Sequence, residues 1–188
     1  MEYIGKVSEL GAREVLKCVL TVAVGFGGSA CEILPHPGDT QGVQQAGRWE
    51  QHGRIIVRPD PRYTLVRLEV DTNVVERHDV VLARFDFNPS DAEGDEYSLS
   101  VALDLGDARR LSANHPYSLG DSIPAYATVT CLCRPLRPDS VRGTYVMQTR
   151  GSRQLAGRID ATLYFTAWDN PHIHATYRLR QRIHGVRP

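Results

Sequence analysis

The sequence predicts an all-β protein: an antiparallel β-sandwich of about eight strands, with a partly closed β-barrel as the alternative, preceded by a signal segment. Three observations predict it. Long runs alternate apolar and polar residues with a period of two, as a strand with one buried and one wet face requires. Clusters of Gly, Pro, Asn and Asp separate those runs and punctuate turns. After Cys31 no stretch carries the 3.6-residue period of an amphipathic helix.

The first thirty residues stand apart. A mixed-charge lead ends at Lys17, and the short apolar run Cys18 to Phe26 follows, then Gly27-Gly28-Ser29-Ala30-Cys31. The run falls short of the roughly 20 apolar residues of a membrane-spanning helix. It fits a secretory apolar region with small residues at a cleavage site, so residues 1–30 read as a signal peptide. Residues 31–53 are rich in Pro, Gly, Gln and His without periodicity, and read as a tether or lead-in in which Trp49 docks onto the first sheet.

Residues 54–188 read as the β-domain, and its strands follow in order. Arg54–Arg58 is apolar and stopped by Pro59 and Pro61; Arg62–Val70 shifts its apolar parity near Val66, as a bulge does. Asp79–Phe87 places Val81, Ala83, Phe85 and Phe87 on one face. Glu96–Leu105 alternates most regularly, with Tyr97, Leu99, Val101, Leu103 and Leu105 on the apolar side. Tyr117–Gly120 is a short edge segment, and Ala125–Cys133 is a strand ended by Pro135 and Pro138. Val141–Thr149 and Gly157–Trp168 form a hairpin about Gly151-Ser152. His172–Ile183 closes the chain with Ile173, Ala175, Tyr177 and Leu179 inward.

Gly28-Ser29-Ala30-Cys31 resembles a bacterial lipobox, whose cysteine is acylated and becomes the new N-terminus; here Gly28 stands where the pattern usually has Leu. Over roughly the last hundred residues, Tyr117-Ser118-Leu119-Gly120, Arg142-Gly143-Thr144-Tyr145 and Gly157 through Ala167 look like a pattern of uncharacterised all-β bacterial lipoproteins. The resemblance implies lipid attachment at Cys31, hence a membrane partner through that lipid, and carries no catalytic motif.

The composition, 41% hydrophobic and 23% charged, is that of a globular protein rather than a disordered one. Formal charge is zero, which argues against a dedicated nucleic-acid binder. That zero conceals a division. Residues 31–130 carry 9 Arg against 16 acids, and residues 131–188 carry 10 Arg against 3. Either the two halves face each other as partner sheets, or the basic one meets an anionic surface. Arg178, Arg180 and Arg182 alternate on the last strand as a basic stripe; they are an anion-binding candidate, or else charges that guard an edge strand.

Two groupings invite a metal. Cys131 and Cys133 share a face of an extended strand, as do His172 and His174, so a zinc site of the four is conceivable, although the spacing matches no standard finger. A disulfide between the cysteines, or two buried thiols, are the alternatives. Asp91, Glu93 and Asp95 cluster hard oxygens on a loop, as calcium requires, but lack the EF-hand order; a solvated hairpin tip is the plain alternative. There is no G-x-S-x-G elbow and no phosphate-cradling glycine loop. The expectation is therefore an exported, lipid-anchored, non-catalytic module of the bacterial cell envelope without a cofactor, which binds a protein or polysaccharide or serves structurally. The alternative is a small secreted enzyme or a calcium- or zinc-dependent binder.

Overall fold

The computed structural model of the chain describes residues 43–60, 65–75, 78–87, 97–131 and 135–188. Within them the protein is all-β, with ten strands, one 3-10 turn and no α-helix. The strands are β1 (Val43–Glu50), β2 (Arg54–Asp60), β3 (Leu65–Asp71), β4 (Val80–Phe87), β5 (Tyr97–Asp104), β6 (Pro116–Leu119), β7 (Ala125–Cys131), β8 (Leu136–Arg150), β9 (Gln154–Ala167) and β10 (His174–Val186).

Eight of them form one sheet in the order β6-β8-β9-β10-β1-β4-β5-β7, and β2 and β3 form a second sheet. The large sheet is mixed rather than antiparallel, because β1 inserts between β4 and the last strand and runs parallel to β10 at Arg48 and Val186. Two stacked sheets of similar size are not what forms, and the large sheet does not close into a barrel. It curves instead. Inward residues from Phe85 and Leu99 on one side to Leu163 and Leu179 on the other belong to one apolar core.

The regular alternations fold as read. Leu99, Val101 and Leu103 of β5 are wholly buried, as are Val81, Ala83 and Phe85 of β4 and Ile159 and Leu163 of β9. Removing each of the Val, Leu, Ile and Phe side chains among them from water stabilises the fold by roughly 1.5–3 kcal/mol. Tyr145 is buried too, and its ring lies over Gly157, where a Cβ would overlap it.

Several details differ from the sequence reading, among them that β2 is not stopped by Pro59 but runs through it, opposite Val66, to Asp60. Residues 43–50, expected within the lead-in, form β1, and Trp49 is fully buried in the core. Nothing apolar alternates there because β1 needs a small residue at Gly47, whose Cβ would strike the carbonyl of His184. The ladder of β3 on β2 runs without interruption from Leu65 to Asp71, so no bulge falls at Val66. Strand β8 begins at Leu136 and passes through Pro138, absorbing it at a register shift between Pro138 and Ser140. The last strand begins at His174 rather than His172.

The small sheet covers part of the outer face of the large one. Ala102 of β5 and Thr128 of β7 lie on the face turned away from the core, yet Ala102 is wholly buried and Thr128 nearly so. Val70 of β3 approaches Gly53 beside Val80, which is also buried.

At one end of the core the aromatic rings join strands that are distant in sequence. Phe87 and Tyr97 stack at 4.8 Å, Tyr97 meets Tyr177 at 5.2 Å, and Tyr177 meets Phe165 edge-on at 5.5 Å. Burial, with a smaller contribution from Tyr97, pushes the Tyr177 phenol up to about 12. An unfolded tyrosine ionises near 10, so raising the pH above that value draws the unfolded chain away from the folded one. Stability is predicted to be full below about pH 10 and to fall as pH rises toward 12, by on the order of 2–3 kcal/mol from this residue. Urea unfolding between pH 9 and roughly 11.5 checks this. Tyr177→Phe should remove part of the alkaline slope, with the Tyr145 phenol, also pushed up by burial, supplying the rest.

Candidate functional site

The outer face of β8, β9 and β10 carries a row of arginines. Side chains alternate across a strand, so burying the odd-numbered residues of β9 and β10 turns the even-numbered ones to solvent. The register follows from the same constraint. Leu179 faces Ala161 and Ile183 faces Gly157, and a slip of one residue would turn this entire apolar row outward. That register sets Arg178 opposite Thr162, Arg180 opposite Asp160 and Arg182 directly opposite Arg158. On the other side of β9, Arg142 faces Thr162 and Val146 faces Arg158.

Six arginines among the described residues therefore share this face, Arg137 opposite Thr166 included, and three carboxylates answer them, Asp139 meeting Arg137 at 3.9 Å. Asp160 is paired with Arg180 at 2.9 Å and with Arg178 at 3.7 Å; Asp121 meets Arg142 at 3.4 Å. Arg158 and Arg182 have no acidic partner among the described residues. Like charges placed directly across a ladder are destabilising. The opposed arginines are thus the costly feature of the face, and also the one best shaped for an anion, since planar guanidinium forks match carboxylate and phosphate oxygens.

This placement alters two sequence readings. The arginine stripe does not guard an outermost strand, since β10 lies between β9 and β1 in the sheet order. Nor are the arginines of this face turned inward against the acidic half; from residues 31–130 they take only Asp121 as an ion-pair partner. The stripe itself was legible in the alternation of β10. Arg142 and Arg158 were not singled out, because which residue of β9 stands beside Arg182 depends on a pairing that no single strand reveals.

The metal candidates fare differently. Cys31, the lipid-attachment candidate, lies outside the described residues, as do Asp91, Glu93, Asp95 and Cys133. Cys131 ends β7 with its backbone opposite Tyr97. His172 sits in a turn, where its N–H donates to Asn170 Oδ1 at 3.0 Å, so strand alternation does not place it with His174. His174 opens β10 and holds Thr166 Oγ1 through Nδ1 at 3.0 Å, while the same hydroxyl donates to Asp139 Oδ2 at 2.6 Å. Among the described residues no three His, Cys, Asp or Glu side chains gather as a metal site would require.

Asp139 and Thr166 were not singled out from the sequence. Asp139 is the extra residue of the bulge in β8, and no sequence signal places it beside β9. No helix among the described residues is long and apolar enough to cross a membrane. The chain matches no protein-family model, and comparison with curated proteins and with solved structures likewise gives no match.

If Arg158 and Arg182 repel each other as their register implies, Arg182→Gln should raise stability in the absence of ligand. The expected gain is about 0.2–1 kcal/mol in low-salt urea unfolding, shrinking as salt is added.

Proposed function

We propose that the chain is an exported, non-catalytic β-domain of the bacterial cell envelope, tethered by a lipid on Cys31, that binds an anionic polysaccharide on the outer face of β8–β10. The leader reading rests on the apolar run Cys18 to Phe26 and the small residues before Cys31. The lipid rests on the lipobox-like Gly28-Ser29-Ala30-Cys31 and on the resemblance of the C-terminal strands to all-β lipoproteins. Acyl chains supply about 0.8 kcal/mol per buried methylene, so multiple acylation holds a protein at a bilayer without a spanning helix.

The observation that carries the binding reading is Arg158 facing Arg182 with no carboxylate on either among the described residues. A folding domain gains nothing from that pair, whereas an anion bridging both guanidiniums removes the repulsion and satisfies two forks. The row Arg178, Arg180, Arg182 repeats at about 7 Å along the strand, as every second residue does. A strand face with repeated forks suits an extended chain that presents carboxylates in series better than it suits a single compact anion.

Binding to immobilised polyuronate tests the reading. Retention of the protein, loss of retention with rising salt and indifference to a neutral glucan are expected. Arg158→Gln with Arg182→Gln should weaken binding by about tenfold or more, near 1.4 kcal/mol. Equal retention of the double variant would contradict the assignment of the face. The tether is tested separately: in membrane fractionation of the native host, wild type should follow the membrane and Cys31→Ser the soluble fraction.

A further inference from the structure

The place where the large sheet stops short of closure forms a second candidate site, independent of the arginine face. Strands β7 and β8 are joined by four residues, 132–135, yet no ladder connects them. Local chemistry accounts for the gap: Pro138 has no N–H to donate, and the register shift between Pro138 and Ser140 bends β8 at that point. A cleft of about 160 Å³ opens there, walled by Val57 and Leu68 of the small sheet, Ala125 and Ala127 of β7, and Pro138 and Val141 of β8. An apolar cavity of roughly 150 Å³ admits a single benzene ring.

One carboxylate stands in this apolar wall. Asp139, the extra residue of the bulge, lines the cleft, and its Oδ2 accepts the Thr166 hydroxyl at 2.6 Å. Thr166 is almost wholly buried and its single hydroxyl hydrogen is spent on Asp139, so the 3.0 Å contact with His174 Nδ1 must run from a ring N–H to Thr166 Oγ1. The carboxylate is thus held by a two-step hydrogen-bond chain from β10 through β9. Its other oxygen forms an ion pair with Arg137 Nε at 3.9 Å, too long for a hydrogen bond, so that oxygen can still accept one from a ligand.

We infer that this cleft binds a small primary amine whose apolar body is no larger than one ring. The walls take the ring, Asp139 Oδ1 takes the ammonium, and the relay from His174 fixes the carboxylate in advance. Sites of this kind, apolar with one placed polar group, recognise a ligand by that group.

Benzylamine is a suitable probe, titrated by NMR into the full-length protein. Saturable shifts are expected at Ala125, Ala127 and Val141, with toluene weaker and benzoate giving no saturable shift. Asp139→Asn should weaken benzylamine by about tenfold while leaving toluene unchanged, and Ala125→Phe should abolish both by filling the cleft. Arg182→Gln should leave benzylamine affinity as it was, which separates this site from the arginine face. Unfolding curves confirm that each variant is folded. Equal affinity for benzoate, an Asp139→Asn protein that binds benzylamine as wild type does, or no saturable shift up to roughly millimolar-to-molar solubility would each overturn the inference.

Discussion

A buried carboxylate holds the first strand of the domain to the rest of it. Asp79 is fully excluded from solvent, just ahead of β4. Its Oδ1 accepts the Trp49 indole N–H at 3.1 Å and its Oδ2 accepts the Ala108 backbone N–H at 2.8 Å. Its own backbone exchanges hydrogen bonds with Gly106 and Leu105, which extends the β4–β5 ladder to the 3-10 turn Ala108–Arg110. A carboxylate in such surroundings is tolerable only when its oxygens are satisfied, and here both are. Trp49 is gripped from other directions as well. Arg187 and Arg150 lie over its ring at 5.5 and 6.0 Å, and Arg187 also reaches Gln51 at 2.5 Å and the Ser152 carbonyl at 3.3 Å. The beginning of the sheet, its last residues and the β8–β9 turn thus converge on one indole. On the β10 side, where β1 has a single backbone pair, that convergence acts together with Gln44, whose amide exchanges hydrogen bonds with the His184 backbone at 2.6 and 3.0 Å; on the other side β1 is laddered to β4.

This also explains which parts of the fold were legible in the chain. Strands β4, β5, β9 and β10 bury one face against a shared core, so their alternation reports the structure directly. Strand β1 is held by its ladder to β4, by Gln44 on the His184 backbone, and by one Trp, one Gly and a carboxylate thirty residues away, none of which makes a periodic apolar pattern. The small sheet is similarly opaque: Ile55, Ile56 and Val70 are all only partly buried, so apolar residues fall on both faces. Pro138 reads locally as a stop, yet a long strand bent by a bulge accommodates it at the seam beside β7.

The candidate sites divide along the same line. The stripe Arg178, Arg180, Arg182 belongs to one strand and was visible as such; its juxtaposition with Arg158 and Asp160 belongs to a pairing of two strands. The Asp139–Thr166–His174 chain requires three strands and a bulge, which no spacing rule contains. Charge counted along the chain suggested two halves meeting as acid and base. In three dimensions Arg142, Arg158, Arg178, Arg180 and Arg182 turn outward, Arg150 and Arg187 pack on Trp49, and the inner faces that meet are otherwise apolar.

The anchoring role of Asp79 is tested most directly by the stability of Asp79→Ala in urea. Without the carboxylate, the Trp49 indole and the Ala108 amide are left as buried donors with no acceptor, each costing about 1–3 kcal/mol. The account predicts a loss of roughly 3 kcal/mol or more, with hydrogen exchange at Gly47 and Trp49 accelerated beyond that at the β9–β10 ladder. A variant within about 0.5 kcal/mol of wild type, with β1 exchanging no faster than before, would show that the first strand is held by something else.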